Sequence, residues 1–179
     1  TNKIWRNLAH SLSEEFHVIC PDLPGFGKSP SHQGLASLTD VAESLVNWLA
    51  SIQIERFIVI GHSLGGYIAL ELLRQYPHHV LALGLLNSSA FADSEEKKAN
   101  RNKLIDFIGE YGVSPFIKTF VPSLFYPPTT NKFQQVIDEI SSDGMSIQPE
   151  VVIQYASAMR DRPDSADLLK AHSNTIMLI

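Results

Sequence analysis

The stretch Gly61-His62-Ser63-Leu64-Gly65-Gly66 sets a serine between glycines at the spacing G-x-S-x-G. It lies between the apolar run Phe57–Ile60 and the amphipathic run Tyr67–Leu73. On a strand-turn-helix, this spacing holds a serine hydroxyl exposed at a sharp turn. A serine hydroxyl is a poor nucleophile unless a base stands beside it and donors face the oxyanion that forms. The amide of Leu64, at the start of the following helix, is free of an intrahelical partner and can point at such an oxyanion. Gly61 and Gly65 carry no Cβ, so both are expected to let the turn close up in a strained conformation. The plainer alternative is a glycine-rich turn with a capping serine.

Other candidate chemistries fall away on inspection. Gly25-Phe26-Gly27 would need a third glycine at position 30 to read as a dinucleotide loop, and that residue is Pro30. Gly61 to Gly66 has phosphate-loop spacing, but Tyr67 stands where the lysine would be. No His or Cys pair has zinc-ligand spacing with further ligands nearby, so neither metal nor cofactor is expected. Cys20 is the only cysteine and closes the apolar run Phe16–Ile19, where a buried strand residue is the simplest reading. Asn87-Ser88-Ser89 fits a glycosylation sequon, with nothing else pointing to secretion.

The bulk composition sets bounds on partners. The chain has 179 residues, 44% hydrophobic and 18% charged, enough for one domain with a real core. A formal net charge of −5 without a basic run argues against nucleic acid and anionic membrane surfaces. No apolar stretch approaches the length of a membrane span, and the first residues lack a signal-peptide pattern. A cytoplasmic location and a small-molecule partner are expected, with oligomeric state left open.

Several elements are needed to position Ser63. Ile4, Trp5, Leu8 and Leu12 recur at helical spacing over 3–14, and 16–20 reads as a short strand. The loop from Pro21 to Pro30 is dense in turn residues. Ser37-Leu38-Thr39-Asp40 matches a capping box, and Leu38, Val41, Ala42, Leu45, Trp48, Leu49 and Ile52 follow one helical face. A strand over 55–60, a helix over 64–75 stopped by Pro77, and a strand over 80–86 follow. Strands apolar on both faces and separated by helices predict an α/β fold with a parallel sheet.

From Phe91 to Pro163 no core strand is legible. Helices are expected over 94–110, 113–120, 129–141 and 148–160. This stretch is too long for an ordinary connection and reads as a helical cap over the C-terminal edge of the sheet. The expected organisation is core over 1–90, cap insertion over 91–163 and return to the core over 164–179. A helix near 165–170 and a strand from Thr175 complete it. The aromatics Phe107, Tyr111, Phe116, Phe120, Phe125, Tyr126 and Tyr155 could line an apolar acyl pocket or form the insertion's own core.

Taken together, the chain resembles the α/β-hydrolase-fold superfamily over nearly its whole length. Asp22-Leu23-Pro24-Gly25-Phe26-Gly27-Lys28-Ser29, followed by the elbow at Ser63 and then a helical insertion, falls in the family's order. The wording is similar to small esterases, enol-lactonases and carbon–carbon bond hydrolases. The resemblance implies a mostly parallel sheet flanked by helices, with Ser63 as nucleophile and the Leu64 amide as one oxyanion donor. His62 is then expected to face away from the hydroxyl and to border the substrate pocket. A serine rather than an aspartate at the elbow implies acyl transfer on a small ester, thioester or lactone.

The family's triad runs Ser, then Asp or Glu, then His. The resemblance places that acid and base beyond Ile179 and the second oxyanion donor before Thr1, so an internal segment of a longer enzyme is expected. His10, His17, His32, His62, His78, His79 and His172 are poorly placed to substitute as base. The strand at 80–86 ends in Asn87-Ser88-Ser89 without a carboxylate, and Asp93 is the nearest acid. Two rivals share this sequence: a non-catalytic α/β-hydrolase-like binding protein or inactive fragment, and a carbon–carbon bond hydrolase.

Overall fold

A computed structural model of the chain describes residues 1–31, 37–172 and 175–178; His32 and Ile179 lie outside that set. Two compact units form, Thr1–Gln33 with Asp106–Ile153, and Gly34–Ile105 with Gln154–Ile179. These bounds differ from the expected 1–90, 91–163 and 164–179. Residues 91–105 and 154–163 group with the sheet, because its loops and theirs are bonded together. The amide of Ser165 donates to the Ala90 carbonyl at 2.7 Å, and Asp93 pairs with Arg162 at 2.8 Å.

The second unit holds the sheet. Its first helix, α2 (Leu38–Ser51), follows α1 (Arg6–Leu12) in chain order. The capping box forms as expected: the Asp40 amide donates to the Ser37 hydroxyl at 3.2 Å, and the Ser37 amide donates to the Asp40 carboxylate at 2.7 Å. Leu38, Val41, Ala42 and Val46 are its buried face. Strand β1 (Phe57–His62) leads into α3 (Leu64–Gln75), and β2 (Val80–Leu86) lies parallel to β1. Helix α3 buries Ile68 to Leu73 without interruption, since it packs on both strands and on α2. Within that run the buried Glu71 pairs with Arg74 at 3.2 Å and accepts from Thr39 at 3.2 Å.

Strand β3 (Thr175–Leu178) pairs parallel with β2, giving the order β1-β2-β3. The parallel sheet is therefore as the sequence predicts. Between β2 and β3 run α4 (Glu95–Tyr111), α5 (Val113–Ser123), α6 (Gln134–Met145), α7 (Pro149–Arg160) and α8 (Ala166–Ala171). No strand interrupts the described residues there, as expected.

In the other unit, α5 and α6 pack together through Val113, Ile117 and Val121 on one side and Ile137 and Gly144 on the other. The run 16–20, expected as a strand, forms no ladder. A strand is defined by hydrogen-bonded neighbours, and the described sheet consists of β1, β2 and β3. Asp22 anchors its loop by accepting from the amides of Asn2 at 2.7 Å and Lys28 at 3.1 Å. Partial burial opposes its charge, but those two amides and the nearby positive charges outweigh it and hold the carboxyl below its ordinary value. Of the aromatics considered for a pocket or a core, Tyr155, in the sheet unit, is buried, while Tyr111 and Tyr126 are more than half exposed. Burial raises the Tyr155 phenol well above its ordinary pKa.

Candidate active site

Strand β1 ends at His62 and α3 begins at Leu64, so Ser63 alone makes the turn. It does so at φ 50° and ψ −114°. A non-glycine residue there costs on the order of 1–3 kcal/mol, and the surroundings must enforce it. They do so with three bonds. The Ser63 amide donates to the Leu86 carbonyl at the end of β2 (3.0 Å). The Ser63 carbonyl accepts from the Gly66 amide (2.9 Å) and from the Ser88 hydroxyl (2.9 Å).

Two glycines let these parts approach. A Cβ on Gly61 would stand 2.2 Å from the Gly65 carbonyl oxygen, and one on Gly66 would stand 2.3 Å from the Ser88 hydroxyl. A Cβ on Gly65 would meet nothing within 4 Å. The steric role expected of Gly61 holds, and the one expected of Gly65 belongs to Gly66. The reason is helical geometry: Gly66 faces the segment after β2, whereas Gly65 faces away from neighbours.

Ser63 is exposed, as is His62 beside it. Register pairs His62 with Leu86, so both lie at the C-terminal ends of parallel strands, the edge where open α/β sheets bind ligands. Leu64 is the first residue of α3, and no carbonyl within the helix can accept its amide. Among the described residues, no side chain hydrogen-bonds the Ser63 hydroxyl. His79 is occupied by the Glu55 carbonyl at 2.5 Å.

Asp93 is part of an ion-pair cluster. Its carboxylate meets Arg162 at 2.8 Å and Arg101 at 2.9 Å, with its side chain 1% exposed. Desolvation works against its charge, but hydrogen bonds and attraction from Arg101 and Arg162 prevail, and its pKa is lowered. The Arg162 guanidinium also lies 3.9 Å from the centre of the Tyr67 ring. Sequence reading missed Gly66, Tyr67, Ser88 and Arg162. The doubled glycine after the motif was a usable signal for Gly66. Arg162 had none, since its partner carbonyl at Phe91 is 71 positions away.

Among the described residues, no group of three or more His, Cys, Asp or Glu could hold a metal ion, and no helix is long and apolar enough to cross a membrane.

The site is a strained serine turn joining a parallel strand to a buried helix. The family model for the alpha/beta hydrolase fold matches residues 2–111, and the chain belongs to that family. RutD of Yersinia enterocolitica, for which carbamate hydrolysis has been suggested, is 31% identical over 160 residues, 87% of this chain and 52% of that protein. A solved thermophilic esterase from Thermogutta terrifontis, bound to malate, superposes with a TM-score of 0.90 at 31% identity, covering 99% of this chain and 65% of its own. The enol-lactonase of Burkholderia xenovorans superposes at 0.87 with 18% identity, over 98% of this chain and 66% of that one, which speaks to the fold alone. The chain spans about half the length of the curated relative and about two thirds of the solved chains.

Proposed function

We propose that this chain carries the nucleophile of a serine hydrolase acting on a small ester, thioester or lactone. In this reading Ser63 attacks the carbonyl carbon, the Leu64 amide donates to the developing oxyanion, and the alcohol, thiol or ring oxygen leaves with a proton. Water then cleaves the acyl-enzyme and restores the hydroxyl. His62 borders the acyl substrate. The observation that carries the reading is the left-handed backbone of Ser63, exposed at the strand ends and enforced by three hydrogen bonds. Strain of this kind persists where function uses it. The similarity to an esterase at 31% identity supports ester chemistry over carbon–carbon cleavage.

The test, made on the full-length protein that carries these residues, is intact mass before and after a fluorophosphonate probe, with hydrolysis of short p-nitrophenyl esters measured alongside. One adduct on the wild type, none on Ser63→Ala, and loss of turnover in that variant are expected. Removing a serine nucleophile leaves only roughly 10³–10⁴-fold catalysis over water. Unchanged turnover in Ser63→Ala would end the proposal. The second reading, a non-catalytic binding protein, is favoured by the Ser63 hydroxyl having no side-chain partner among the described residues. It predicts no adduct and no turnover.

A further inference from the structure

Arg162 is 8% exposed and far from the elbow in sequence, yet its guanidinium is used on every side. Nη1 meets Asp93 at 2.8 Å and donates to the Met159 carbonyl at 2.6 Å; Nη2 donates to the Phe91 carbonyl at 2.9 Å. Its flat face covers the Tyr67 ring. Tyr67 lies in the first turn of α3, which begins directly after Ser63. Phe91 and Asp93 lie on the segment that leaves β2; the last residue of β2, Leu86, and Ser88 on that segment both bond the Ser63 backbone. One buried cation thus ties together the two pieces of chain that hold Ser63 in its unfavourable conformation. Burying an arginine is costly unless it is paired and hydrogen-bonded, and hydrophobic packing would stabilise such a junction equally well. What the guanidinium adds is direction: its planar fork fixes the angle between the Met159 and Phe91 carbonyls while its charge meets Asp93 and lies over the Tyr67 ring.

We infer that Arg162 and Tyr67 are positioning residues for Ser63, setting the first turn of α3 against the segment after β2. The inference rests on Ser63 being the nucleophile. A misplacement of about 1 Å at a reacting atom can cost on the order of 10²-fold in rate.

The experiment, on the full-length protein that carries these residues, measures fluorophosphonate labelling rate at Ser63, kcat and KM on short p-nitrophenyl esters, and thermal melting. It compares wild type with Tyr67→Phe, Tyr67→Leu and Arg162→Lys. Tyr67→Leu keeps the Asp93–Arg162 pair and removes only the ring; Arg162→Lys keeps the charge and removes the fork. Both are expected to lose about tenfold or more in labelling and kcat with KM little changed, in molecules still folded at the assay temperature. Tyr67→Phe, which keeps the ring, is expected to restore the wild-type rate. Wild-type labelling in the Leu and Lys variants, or a loss matching only their unfolded fraction, would overturn the inference and leave the nucleophile reading intact. No labelling of the wild type would overturn both.

Discussion

The Ser88 hydroxyl donates to the Ser63 carbonyl at 2.9 Å from the space that a Cβ on Gly66 would fill. The missing side chain and the hydrogen bond are therefore one feature: Gly66 makes room for the group that holds the elbow. Ser88→Ala is expected to destabilise by about 1 kcal/mol, the usual net value of one hydrogen bond. Gly66→Ala should cost about 1–3 kcal/mol as overpacking. In a Ser88→Gly background the same Gly66→Ala change should cost less, because the crowding atoms are gone. A denaturant double-mutant cycle measures this coupling, and additivity of the two changes would refute it.

The glycines of the motif should separate sharply. Gly65→Ala meets open space and removes chain entropy from the unfolded state, so a gain of about 0.4–1 kcal/mol is expected. Gly61→Ala drives a Cβ to 2.2 Å from a backbone oxygen that cannot step aside, and a loss above about 3 kcal/mol is expected. Thermal melting of the two variants settles the contrast.

Ser63 holds its positive φ at a cost that glycine would not incur. Relief of about 1–3 kcal/mol of strain, less the ~0.5–1 kcal/mol entropy cost of glycine, leaves a net gain near 1 kcal/mol for Ser63→Gly. That corresponds to a melting temperature raised by roughly 2–4 °C. Ser63→Ala keeps the Cβ, and its melting temperature should stay at the wild-type value. Stability gained by glycine and not by alanine identifies backbone strain as the cause.

Asp93 predicts the acid limb of the stability curve. Its pKa in the folded chain is below its ordinary value, so its contribution is full above the unfolded carboxylate pKa. That contribution is lost as pH falls from there through the lower folded value. Asp93→Asn should flatten this part of the curve. At neutral pH it should destabilise by about 3–5 kcal/mol, because Arg162 is left buried beside a neutral partner. Urea melts from pH 7 down to pH 3 test both statements, and parallel curves for the two proteins would contradict the assignment.

The order of strands and helices around the elbow was legible in the chain, because each element carries a local signal. The capping box at Ser37, the apolar runs at 57–60 and 80–86, the glycines around Ser63 and the stop at Pro77 act over a few residues. All four reappear in the structure at or within two residues of the expected bounds. The motif also identified Ser63 as the residue of interest. Tertiary structure decided which glycine must lack a side chain, which hydroxyl braces the turn, and that Asp93 is held by two arginines. It also decided that 16–20 forms no strand and that 91–105 and 154–163 group with the sheet. These features depend on contacts between residues distant in the chain, such as Arg162 with Phe91 and Tyr67. Periodicity and turn chemistry record what a residue asks of its neighbours in sequence, while pairing, burial and steric closure are set only when distant segments meet.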